Sequence, residues 1–184
     1  MHNRQHFCKA TMFKQILFAA FILMPIPILS QPSLPYKVED IVLYDLHGNR
    51  VKLPYLGQKS LFIFYIDPDT GLSGNRNLKH ADIIEQSGVL NSPNIFGFGI
   101  LNLKDTFLPD KLIRSMARRR TANNRGYVLI DPDYTLSDAW QIGDCNGKFC
   151  IMMVNAQGEL VLVQKEEMSN QELAELFDFV KQYW

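Results

Sequence analysis

The sequence predicts an α/β domain with a central mixed β-sheet, helices on both faces and an N-terminal β-hairpin extension. Three observations predict it. The apolar runs "SLFIFYI", "NIFGFGILNL" and "GYVLIDPD" have strand length and alternate with two segments of helical periodicity. The first two runs are close to continuous rather than strictly alternating, which is the pattern of strands covered on both faces. The chain then closes with two β runs about the turn "NAQG" and a final helix, an antiparallel ending that makes the sheet mixed.

In chain order, residues 31–37 are a Pro-containing lead-in without periodicity, and structure is expected to begin after "QPSLPY". "DIVLYDLHGNRVKLPYL" has apolar residues on both sides of "HGN", a turn signal, and reads as a hairpin. After the "SLFIFYI" strand, "NRNLKHADIIEQSGVL" carries Leu78, Ala81, Ile83 and Ile84 at roughly helical spacing, with Ser87-Gly88 as a stop. In "NIFGFGILNL", Gly97 and Gly99 alternate and imply close approach of something to one face of that strand. "LPDKLIRSMARRR" opens with Pro109 and Asp110, both suited to a helix start, and shows a stripe of Leu112, Ile113, Met116 and Ala117. "YTLSDAW" suits one or two helical turns. In "SNQELAELFDFVKQYW", Ser169 and Glu172 form a capping box ahead of Leu173, Leu176, Phe177 and Val180.

The N-terminus reads as an export signal. Arg4, Lys9 and Lys14 precede the apolar "QILFAAFILM", and "PIPILS" supplies a helix-breaking end on a small residue, so cleavage is expected after Ser30. Met12 is an alternative start to Met1, because "MFKQILFAAFILMPIPILSQ" is a complete signal by itself. The apolar run is about half of the ~20 residues a membrane-spanning helix requires. The expected product is periplasmic or extracellular and free of the membrane, and Cys8 is lost with the signal. It is one domain, residues 38–184, behind the short lead-in. All nineteen acidic residues lie beyond Ser30, whereas three of the nineteen Lys and Arg precede it, which leaves the processed chain at −3. That charge gives no support for nucleic-acid binding. A monomer without cofactor is expected.

Two cysteines remain, in "GDCNGKFC". Four residues separate Cys145 from Cys150, where an exchanging dithiol usually has two. Zinc would need two further ligands, and His47 and His80 are isolated from each other and from this stretch. An even pair in an exported domain favours a disulfide, although closing so short a ring is worth only about 2 kcal/mol in the chain-entropy model. Two free thiols, or a nucleophilic thiolate beside Lys148, are the alternatives.

The order of elements, a βαβ unit followed by ββα and preceded by extra strands, resembles the thioredoxin fold. In that fold the redox motif follows the first core strand, and here that slot reads "DPDTGLSGNR", without cysteine. Counting back from Gly158 places Cys150 where a thioredoxin has its cis-proline. "LYDLHGNRVKL", the stretch into "GYVLIDPD", "AWQI" and "IMMVNAQGEL" with its terminal helix are similar to the YtfJ-like family of exported bacterial proteins, over most of residues 38–184. The resemblance implies a thioredoxin-like domain that lacks the redox motif, an extracytoplasmic location, and no established reaction. The expected function is non-catalytic, the binding of a protein or small-molecule partner, with a weak thiol–disulfide oxidoreductase built on Cys145 and Cys150 as the first alternative.

Two other constellations compete. "IDPD" occurs at 66–69 and at 130–133, each time after an apolar strand. Asp67 and Asp69, with Thr70 next in the chain, invite comparison with the Asp-x-Asp loop of haloacid dehalogenase-like, Mg²⁺-dependent phosphatases, but the later lysine and acidic pair such enzymes need are missing. The recurrence favours turn chemistry, with proline ending strand pairing and the aspartates capping the next turn. In "RSMARRRTANNR", Arg114 and Arg118 share a helical face and could hold an anion, while Arg119, Arg120 and Arg125 lie nearby. A solvated helix end is the plainer account of these arginines.

Overall fold

The computed structural model describes residues 32–124 and 126–184. The export signal expected in residues 1–30, with its cleavage point and its two starts, lies outside the described residues, as does Arg125. Eight strands form one sheet in the order β1-β8-β7-β4-β5-β6-β2-β3. At its centre β4 (Ser60–Ile66), β5 (Ile95–Asn102) and β6 (Val128–Asp131) run parallel. On one side β7 (Phe149–Val154) and β8 (Glu159–Gln164) add antiparallel. On the other, the predicted hairpin of β2 (Val42–Tyr44) and β3 (Arg50–Lys52) joins antiparallel to β6. Its turn is held by the Asp45 carboxylate, which accepts from His47 N and Asn49 N.

One expectation of the lead-in fails. Tyr36–Lys37 form β1, paired with Leu160 and Glu159 of β8. Two residues carry no readable period, so only the neighbouring strand reveals this one.

Among the described residues, five helices connect the strands: α1 (Thr70–Ser73), α2 (Arg76–Ser87), α3 (Asp110–Asn124), α4 (Thr135–Ala139) and α5 (Asn170–Lys181). Local chemistry sets several ends. Asn75 accepts from Asn77 N at the start of α2, and Gly88 ends it in the left-handed conformation. Ser169 and Glu172 make the predicted capping box of α5. α4 lies against one sheet face, where Leu61, Ile63 and Tyr65 of β4 meet Leu136, Trp140 and the loop to Cys145. On the other face Phe62 and Phe64 pack beneath Ala81 and Ile84 of α2 and Leu173, Leu176 and Val180 of α5. Both faces are thus covered, as the continuous apolar runs require.

The third helix departs from expectation. Of its predicted apolar stripe, Ile113 is buried against Leu103 and Ile130, while Leu112 and Met116 are 47% and 58% exposed. An apolar stripe sets which side of a helix faces inward, not how closely the helix approaches the sheet.

Candidate functional site

The slot after β4 is built around a buried carboxylate. Asp67 is 1% exposed, with Oδ1 accepting from Asp69 N at 2.9 Å and Oδ2 from Gly147 N at 2.7 Å. Its own N–H donates to Lys148 O, and its carbonyl accepts from the N–H and hydroxyl of buried Thr70. Asp69 accepts from Thr106 Oγ1 at 2.7 Å and from Phe107 N at 3.4 Å. The structure therefore brings Asp67, Asp69 and Thr70 together with the loop before α3 and the cysteine loop. Every carboxylate oxygen of the two aspartates is engaged by this chain.

The second "IDPD" has the same chemistry. Asp131 is buried and accepts from Asp133 N, Thr135 N and Leu136 N, so it caps the first turn of α4. It also accepts from Tyr65 Oη at 3.1 Å. Burial, with the Asp131 charge beside it, pushes the Tyr65 phenol well above its ordinary range. Both tetrapeptides close a parallel strand and start a helix. A nucleophilic Asp67 would need an oxygen free to reach phosphorus, and both of its oxygens are tied to backbone N–H groups.

Cys145 and Cys150 are brought together on the α4 side of the sheet. Both are buried, and both are free thiols here rather than the disulfide the sequence favours. Cys150 is fixed in β7 opposite Tyr65, whereas Cys145 rides on a loop whose Gly143 and Gly147 take positive φ. The Cys145 thiol donates to Gly143 O at 3.4 Å. A hydrogen bond from Cys150, with Lys165 and Lys148 nearby, holds Cys145 below the ordinary thiol range against the opposing effect of burial. The same bond and burial push Cys150 upward. The loop is pinned to the slot through the Gly147 and Lys148 bonds to Asp67.

Arg114 and Arg118 do share a face, but it is turned towards the hairpin. Their guanidiniums donate to the carbonyls of Asp45 and Leu46, so they brace the β2–β3 turn, and Arg114 also faces Asp110 at 4.0 Å. Arg114 is half-buried by these contacts, while Arg118 stays exposed at the surface. Among the described residues, no group of three His, Cys, Asp or Glu is arranged to hold a metal.

The residue that sequence reasoning missed is Asn77. Fully buried, it donates to Phe149 O and Glu166 O and accepts from Met168 N, tying α2 to the start of β7 and to the approach to α5. An asparagine two residues after a cap carries no signal for this. Leu72 and Phe107, 67% and 71% exposed, flank Asp69, and no local pattern marks them either.

No family model matches the sequence, and no curated protein is similar to it. Solved structures are similar in three dimensions. The exposed lipoprotein thioredoxin Etrx1 from Streptococcus pneumoniae superposes with a TM-score of 0.56 at 13% identity, over 77% of this chain and 99% of that one. A hypothetical protein from Sinorhizobium meliloti gives 0.57 at 18%, over 83% and 86%. BsSco, a Sco-family cytochrome c oxidase assembly protein with a disulfide switch, gives 0.53 at 13%, over 84% and 96%. With the parallel β4–β5–β6 core, the closing antiparallel hairpin and the helix-covered faces, this likeness gives the chain a thioredoxin-like fold.

Proposed function

We propose that the chain is an exported, YtfJ-like domain that binds a partner and does not exchange thiols at the slot after its first core strand. The observation that carries this reading is Asp67. A buried aspartate, with both oxygens bonded to backbone N–H groups, follows the first core strand, where the thioredoxin resemblance puts a redox motif. Leu72 and Phe107, both bonded to Asp69 through their backbone N–H groups, carry exposed apolar side chains suited to a protein partner. The signal-like N-terminus supports export, in keeping with the exposed lipoprotein among the similar structures.

A second reading places thiol–disulfide exchange on Cys145 and Cys150. The placement of both cysteines together in the core on the α4 side of the sheet, with Lys148 and Lys165 near Cys145, favours it, since an attacking thiol and a resolving thiol must be neighbours. Cys145 would attack a substrate disulfide and expel one thiolate. Cys150 would then attack Cys145 Sγ, leaving an internal disulfide and two substrate thiols. Burial of both sulfurs weighs against it.

One assay separates the two readings. Insulin, supplied with the processed protein and a thiol reductant, is expected to be reduced no faster than by the reductant alone. Reduction that disappears in Cys145→Ser would replace the binding reading with the exchange reading.

A further inference from the structure

The two helices α2 and α3 lie side by side on one face of the sheet without closing over β5. Between them is a groove of about 900 Å³, within the size range of small-molecule sites. Its floor is the strip of β5 that has no side chains. At Gly97 the space is taken by Leu90, whose Cδ1 stands 3.0 Å from where a Cβ would be, which is the close approach the sequence predicts. At Gly99 a Cβ would meet only Val128 at 3.6 Å and the Phe64 carbonyl at 3.9 Å, so the floor is open there. The walls are apolar, with Ala81 on α2 and Ile113, Met116 and Ala117 on α3. At one end the groove reaches Pro68, beside the slot.

The polar groups at the mouth indicate what fits. Arg120 of α3 bridges to Asp82 at 3.2 Å and to Glu85 at 3.4 Å on α2. Two carboxylates thus face one guanidinium. All three side chains are 39–59% exposed, so the pairing is worth little and rearranges cheaply. An anionic group would compete with two carboxylates for Arg120, whereas a cation would relieve their excess charge. The floor is one strand wide, bounded by Phe64 and Val128, which suits a slender chain better than a bulky ring.

We propose that this groove binds an elongated apolar molecule with a cationic end, its chain over Gly99 and its cation against Asp82 and Glu85. The thiols do not line the groove, and although its Pro68 and Leu108 end adjoins Asp69 and Phe107 in the chain, the groups that would hold the ligand are Gly99, Asp82 and Glu85, so its test is distinct from that of the partner-binding reading. The test is calorimetric titration of the purified exported protein with decylammonium and with decanoate, both below their micellar range. Decylammonium is expected to bind saturably at one site, at least tenfold more tightly than decanoate. Gly99→Leu, which fills the open floor, is expected to weaken it at least tenfold while melting cooperatively. Should Gly99→Leu fail to fold, the exposed double variant Asp82→Asn, Glu85→Gln carries the test and is expected to lose the preference for the cation. Absence of saturable decylammonium binding, decanoate binding equally well, or undiminished binding by folded variants would overturn the proposal.

Discussion

Two aspartates in identical tetrapeptides each hold backbone N–H groups at a strand end, Asp67 that of the cysteine loop and Asp131 those of α4, and their removal has a calculable direction. Asp67→Ala leaves the N–H groups of Asp69 and Gly147 without their acceptor, in a site that is almost wholly buried. The expected loss is about 1–3 kcal/mol in a denaturant titration, with Asp67→Asn costing less because one amide oxygen can still accept. Magnesium with a panel of phosphate esters is expected to give no phosphate release from either the parent or Asp67→Asn. Tyr65 makes a prediction about pH. Its folded pKa is raised above the unfolded value of about 10, so its contribution is fully present below that value. As pH rises further, the unfolded chain sheds the phenolic proton first, and stability falls. Tyr65→Phe is expected to lose about 1 kcal/mol at neutral pH with its bond to Asp131, and to show a flatter decline of the urea midpoint above about pH 10.

Elements that bury one regular face were legible in the sequence. α5 is the clearest, with its cap, its charge and its Leu173, Leu176 and Val180 face all agreeing. Ser169→Ala is expected to cost about 1 kcal/mol, read as a lower melting temperature, since it removes the acceptor for Glu172 N. The strands β4, β5 and β7 were equally plain because runs buried on both faces need little context. What was not legible depended on distance along the chain. The acceptors of Arg114 and Arg118 lie about seventy residues earlier in the hairpin turn. Asn77 bonds groups 72–91 residues ahead of it. The fold resemblance put Cys150 at the cis-proline position, but the Asp67–Gly147 bond that ties its loop to the slot had no local signal. The thiol state was likewise open, because spacing allows both a ring and a hydrogen-bonded pair.

For the whole molecule, intact-mass measurement on exported protein with a thiol count tests two expectations together. Cleavage after Ser30 and two titratable thiols under reducing conditions are expected, and the mass difference on oxidation reports whether Cys145 and Cys150 close. The slot and the thiol loop also constrain one another through Asp67. A partner that displaces Gly147 from that carboxylate is expected to speed alkylation of Cys145, and oxidation of the pair is expected to change partner affinity by the same coupling.

The two outermost strands are among the shortest of the sheet, two residues in β1 and three in β3. Lys37, Arg50 and Lys52 stand on them, all exposed. A sheet is prone to recruit neighbours through unpaired backbone at its margins, and here the two outermost strands are brief and carry positive charge. Strands as apolar as "SLFIFYI" and "FCIMMV" would be an aggregation hazard if they lay at a margin. Placing them in the interior of the strand order, between brief charged borders, keeps the most apolar backbone of the sheet away from its margins.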